Sequence, residues 1–191
     1  MKNNYYILRH GQTLHQTEKK DFIYPWPENE PVALTREGRK EAEKAAEELA
    51  RIGIDVIYSS DAARAKETAE IVAKRTGVKK INIDPRLRDV NLGSYNGGSK
   101  DKFCSDFPDS MERFKKVPPG GENWEDVRRR MMDFIEDVKK RHKGKKVLIV
   151  SHGDPLLILQ GTIEGWSNKK ILREKIEGRL IQTGEFRKIN C

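Results

Sequence analysis

Short apolar runs alternate with amphipathic segments along the whole chain, and this alternation restricts the fold more than any other feature. Residues 5–8 (YYIL) read as a first strand and 55–60 (DVIYSS) as a second. Residues 80–84 (KINID) read as a short third strand stopped by Pro85, and 146–151 (KVLIVS) as a fourth. The fourth is almost continuously apolar, as expected of a strand covered on both faces. Between them lie helical patterns. Thr35 is placed as the N-cap of a segment in which Ala42, Ala45, Ala46, Leu49 and Ile52 share one face, with Gly53 as its stop. Asp61 is expected to cap a second helix reaching about Thr76. From Glu122 a long helix carries Val127, Met131, Phe134, Ile135 and Val138 inward, and Pro155 sits in the first turn of the next. Residues 93–121 are the least regular, with a short helix expected near 99–107. The tail RLIQTGEFRKI reads as a hairpin about Thr183-Gly184. The fold this predicts is an α/β, three-layer α/β/α sandwich with a mostly parallel central sheet, formed by one domain over residues 1–191.

In sheets of this kind ligands bind beyond the carboxyl ends of the strands. Here those ends share a chemistry. The first strand runs into Arg9-His10-Gly11, the second into Ser59-Ser60 with Arg64 one helical turn on, and the fourth into Ser151-His152-Gly153. A lone His-Gly is usually a turn and a lone helical arginine is usually solvated. Two histidines and two arginines at one sheet edge are a different matter.

Phosphoryl transfer suits this set. Two guanidiniums can grip the oxygens of a phosphoryl group with planar forks. A glycine after each histidine, Gly11 and Gly153, would let the backbone approach an anion. A neutral imidazole can attack phosphorus, form a phosphohistidine and so divide one hard displacement into two. Arginine charge then does what a metal ion would otherwise do, so neither a metal nor another cofactor is expected.

The stretches LRHGQT, SSDAARAKETA, LRDVNLGSYNGG, PPGGENWEDVRRRM and VLIVSHGDPL, in this order, resemble the histidine phosphatase (phosphoglycerate mutase-like) superfamily and its small phosphatase branch. The resemblance runs from residue 7 to about residue 157. It implies that His10 is the phosphorylated nucleophile and that Arg9, Arg64 and His152 form the phosphate pocket. Gln16 stands where the family often has a phosphate-holding asparagine. Asp89 stands where this branch usually has a glutamate general acid, and Glu122 matches the glutamate of the family's PGGE turn. Asp154, beside His152, is the rival acid. With two arginines nearby, Asp89 is expected to have a depressed pKa that a bound phosphate dianion offsets, giving an acidic-to-neutral rate optimum.

The activity so implied is metal-independent hydrolysis of small phosphomonoesters. Two alternatives stand beside it: a phosphoglycerate mutase-type transfer, and a phosphoanion- or nucleic-acid-binding module without turnover. The formal net charge of +8 favours anionic partners without choosing among them. The basic run at 139–146 is read as a helix end, where cations suit the macrodipole, which disfavours nucleic acid. No phosphate-loop motif G-x-x-x-x-G-K-[ST], no H-E-x-x-H and no G-x-S-x-G occurs.

Cys104 and Cys191 offer no disulfide framework, and the N-terminus has Lys2 but no apolar h-region, so a cytoplasmic protein without membrane contact is expected. Among the remaining side chains, His15 is read as an exposed loop residue, with a substrate contact as the alternative, and His142 as a surface one. Phe22, Tyr24, Pro25 and Trp26 either wall the pocket mouth or tuck onto the core. Lys66 and Arg88 are read as mostly solvated cations.

Overall fold

In the computed structural model, residues 2–190 are described; Met1 and Cys191 lie outside them. Five strands form one sheet in the order β3-β2-β4-β1-β5. They are β1 (Asn4–Arg9), β2 (Val56–Ser59), β3 (Ile81–Ile83), β4 (Lys146–Ser151) and β5 (Phe186–Ile189). The first four are parallel and β5 runs antiparallel beside β1. The helices are α1 (Arg36–Ile52), α2 (Ala63–Thr76), α3 (Lys100–Asp106), α4 (Trp124–Arg141), α5 (Gly153–Ile163) and α6 (Asn168–Ile176).

Strand alternation divides the core in two. Tyr6, Leu8, Ile57, Leu148 and Val150 face α1 and α2, packing on Ala45, Leu49, Ala65 and Val72. Tyr5, Ile7, Tyr58, Val147 and Ile149 face the other way, onto Met131, Phe134, Leu156 and Ile171 of α4, α5 and α6. Alanines are prominent on the buried faces of α1 and α2, which lets the two helices lie close to each other. The three layers are those expected from the alternation.

The chain leaves β1 toward the α1 face and leaves β4 toward the α5 face, yet β1 and β4 are neighbours. A crevice therefore opens between their carboxyl ends, the switch point of a parallel sheet. Their register pairs Arg9 with Ser151, so His10 and His152 emerge side by side.

Two expectations fail. Asp61 does not cap α2: the N-cap is Ala62, without a side-chain bond, while Asp61 pairs with Arg88 at 2.5 Å. The cap comes from far away, because the Ala63 N–H donates to Glu28 Oε2 at 3.3 Å. The tail also forms no hairpin. Residues 180–182 stay out of the sheet, where the Ile181 carbonyl accepts from Arg9 Nη1 at 3.1 Å. Only β5 adds to the sheet.

Candidate active site

Each buried polar side chain at the crevice has an assignable orientation. His10 is 1% exposed, and its Nδ1 lies 2.8 Å from the Gly11 carbonyl. A carbonyl only accepts, so Nδ1 carries the proton and Nε2 presents a lone pair. Burial, then Arg64 and Arg9, hold the His10 pKa well below its ordinary 6.5, and burial followed by Arg64 and His10 does the same to His152. Both imidazoles are neutral. Their centroids are 5.2 Å apart. Arg64 Nη2 donates to His152 Nδ1 at 3.2 Å, so Nε2 of His152 carries its proton and donates to Ser60 Oγ at 3.0 Å.

Arg9 and Arg64 each keep a buried Nε with no hydrogen-bond partner. Such orphaned donors are costly unless something else satisfies them, and a tetrahedral oxyanion between the two guanidiniums has the chemistry to do so. Arg64 is held on three sides. Nη1 pairs with Glu28, its guanidinium lies 3.7 Å above the Tyr24 ring, and Nη2 faces His152. The other face of Tyr24 stacks on His15 at 4.1 Å. The Tyr24 hydroxyl closes a ring of bonds with Thr13 Oγ1 (2.7 Å) and Gln16 Nε2 (2.8 Å), while Thr13 donates to Gln16 Oε1 at 3.0 Å.

The two candidate acids separate cleanly. Asp89 Oδ2 lies 3.9 Å from both Arg64 Nη2 and His152 Nδ1, and Oδ1 accepts from the Val90 N–H at 2.9 Å. A third of its side chain opens onto the cavity. Burial outweighs the Arg64 charge and raises its pKa, contrary to the depression expected from the two arginines alone. Asp154 is half-buried, and although burial pushes its pKa up, the Lys175 ammonium at 2.5 Å holds it down. Asp89 is thus the carboxyl disposed to keep a proton.

The glycines have reasons other than anion approach. A Cβ on Gly11 would stand 2.2 Å from the Gly38 carbonyl oxygen at the start of α1. One on Gly153 would press within 3.3 Å of the Arg9 guanidinium. Gln16 lines the crevice with its amide committed to Thr13 and Tyr24. Glu122 does not touch the reacting region: it pairs with Arg130 at 2.8 Å and accepts from the Asn91 N–H at 2.9 Å, pinning the Asp89 loop to α4.

His15 is buried, not exposed, and burial followed by Arg64 lowers its pKa to about 4. His142 is half-buried, with Nε2 3.0 Å from the Tyr58 hydroxyl. Phe22, Tyr24, Pro25 and Trp26 line the cavity, so the wall reading holds; Arg88 packs over Trp26 at 4.2 Å, and Lys66 is exposed. Glu28 and Lys175 were not singled out from sequence. The only signal for Glu28 is an acid within an unusually apolar loop.

The cavity holds about 610 Å³, in the range of small-molecule sites. No cluster of histidine, cysteine and acidic side chains suited to a metal ion occurs among the described residues, and no helix there is long and apolar enough to cross a membrane.

Fold and crevice together define an α/β protein with two neutral histidines, a buried Arg64 and a half-buried Arg9 at a parallel-sheet switch point. The chain belongs to the histidine phosphatase superfamily (branch 1), whose family model matches residues 5–184. Phosphoglycerate mutase-like protein 4 of Arabidopsis thaliana is 30% identical over 77% of this chain and 65% of its own length. Phosphoserine phosphatase 1 of Hydrogenobacter thermophilus is 33% identical over 64% of this chain and 60% of its own. The chain thus spans less than two thirds of these curated relatives. The solved structure of Bacillus stearothermophilus YhfR superposes with a TM-score of 0.74 at 31% identity, covering 88% of this chain and 83% of that one.

Proposed function

We propose that this chain is a phosphomonoesterase that works through a phosphohistidine on small phosphorylated metabolites. The observation that carries this is the His10 tautomer: Nδ1–H is spent on the Gly11 carbonyl, so Nε2 is free as a nucleophile between two arginines. In the first step Nε2 attacks phosphorus, the P–O ester bond breaks, and the leaving oxygen takes the Asp89 proton. In the second, Asp89 removes a proton from water, hydroxide attacks phosphorus, and the N–P bond breaks to release phosphate and neutral His10. Arg9 and Arg64 hold the non-bridging oxygens, and their charge supplies what a metal would. His152 orients Arg64.

The pairing of Asp154 with Lys175 supports Asp89 as the acid. Relatives with mutase and phosphatase names are both similar to this chain, and product analysis separates the two chemistries. The test is phosphate release from a panel of phosphomonoesters in EDTA, with His10→Ala beside the native protein. Turnover that vanishes in the variant is expected. Equal turnover in both would overturn the assignment, and an isomerised ester in place of free phosphate would convert it to a mutase.

A further inference from the structure

The cavity holds more positive charge than one phosphate ester requires. Most of its cations have carboxylate partners. Arg88 pairs with Asp61, Arg130 with Glu122, Lys175 with Asp154, Lys116 with Glu112 and Arg64 with Glu28. Arg9 is accounted for by the reacting phosphate. Arg113 stands apart. It makes no ion pair or hydrogen bond among the described residues, and its Nε is buried without a partner.

Arg113 sits in the 3-10 turn Ser110–Phe114 and lines the same cavity as Arg9 and Asp89. Its guanidinium packs 5.4 Å from the Phe103 ring and 6.0 Å from Trp124. Aromatic faces hold an arginine stem and plane while leaving its N–H edge available. A guanidinium so placed, with one donor already desolvated, costs stability unless an acceptor reaches it. Asp154 feels both Arg9 and Arg113 but is paired with Lys175. Arg113 therefore has no carboxylate of its own at salt-bridge distance among the described residues. Lys100, also on the wall, has no carboxylate at salt-bridge distance among the described residues; its ammonium donates to the Lys20 carbonyl.

We propose that the substrate carries a second anionic group, a carboxylate or a second phosphate, which Arg113 receives while Arg9 and Arg64 hold the phosphate that is transferred. The proposal rests on the reading of the cavity as a phosphomonoesterase site and narrows its substrate class. Neutral-tailed esters, such as sugar phosphates without a second charge, become poorer substrates.

Binding tests the inference apart from turnover. Calorimetry on the native protein would compare 3-phosphonopropionate and 4-phosphonobutyrate with propylphosphonate, which matches them in chain but lacks the carboxylate. Propane-1,3-diylbisphosphonate supplies the second-phosphate arm. The expected result is that at least one ligand with a second anionic group binds about tenfold or more tighter than propylphosphonate. Which arm gains identifies the second group. In Arg113→Met, which keeps the apolar stem against Phe103 and Trp124, that ratio should fall to about one, and Arg113→Lys should restore part of it. A ratio near one in the native protein overturns the proposal even if the variants fail to fold. The phosphatase reading is judged separately, by turnover of glycerol 3-phosphate against 3-phosphoglycerate. Hydrolysis of both at equal kcat/KM rejects the second-anion site alone. No hydrolysis of either, with the binding ratio intact, rejects the phosphatase reading alone.

Discussion

Glu28 is the buried counter-ion of Arg64: the two side chains are 9% and 3% exposed and meet directly. Twice over, then, this one carboxylate serves the site, since it also accepts from the first N–H of α2. Glu28→Ala strands a buried guanidinium and an uncapped helix. Chemical denaturation should show a loss of about 3–5 kcal/mol. Glu28→Gln keeps one of the two accepted hydrogen bonds and should lose less. Both should lower kcat by about tenfold or more by letting Arg64 turn. Unchanged kcat in both would remove Glu28 from the positioning of Arg64.

Asp89→Asn should slow hydrolysis of alkyl phosphates by about 10²–10⁴-fold. With p-nitrophenyl phosphate, whose leaving group needs no proton, the first step should suffer far less. A burst of nitrophenol in the variant would show the second step failing instead. Equal damage on both esters without such a burst would mean that Asp89 does not protonate the leaving oxygen.

Asp154→Asn provides the contrast. It frees Lys175 but leaves the proton donor in place, so a several-fold change in KM is expected with the alkyl-to-nitrophenyl ratio of the native protein. If instead this variant reproduces the Asp89→Asn pattern, the two assignments exchange.

The proposed mechanism needs His10 neutral and Asp89 protonated. His10 has a pKa held well below 6.5 and Asp89 one raised above 3.8, and bound phosphate raises Asp89 further. The kcat profile should therefore peak on the acid-to-neutral side and fall toward alkali as Asp89 ionises. Asp89→Asn should abolish the alkaline fall. A native rate that climbs steadily to about pH 9 contradicts the scheme.

Stability should fall on the acid side for a related reason. His10, His15 and His152 stay neutral in the fold below the pH at which the unfolded chain protonates them. Their contribution is complete above 6.5 and is lost as pH drops, with the His15 share gone by about 4. His15→Phe keeps the stack on Tyr24 and removes an Nδ1 that has no partner, so it should be at least as stable at neutral pH. Urea midpoints at several pH values should fall less steeply for it.

The sheet edge was legible because local patterns and the strand-end rule agree there. Thr35 and Gly53 bracket α1 as anticipated: Thr35 accepts from the Gly38 N–H, and Gly53 is left-handed with φ 77°. What escaped the sequence is what distant residues decide. Asp61 looks like a cap until Arg88, from another loop, takes its carboxylate, and Glu28 fills the vacancy across 35 residues. His15 sits in a polar stretch, and only Tyr24 folding back over it makes it buried. The Asp89 pKa departs from the sequence expectation because charges can be counted along a chain whereas desolvation cannot.

The pairing of Arg9 with Ser151 ties the first strand to one near the far end of the chain. Contacts of such long sequence separation are slow to form and raise the entropic barrier to folding. A growing polypeptide would thus carry His10, the proposed nucleophile, long before β4 is made, yet be chemically silent until β4 slots between β1 and β2. Turnover would then be a faithful reporter of completed sheet assembly, and fragments ending before residue 151 should be inert however well their helices form.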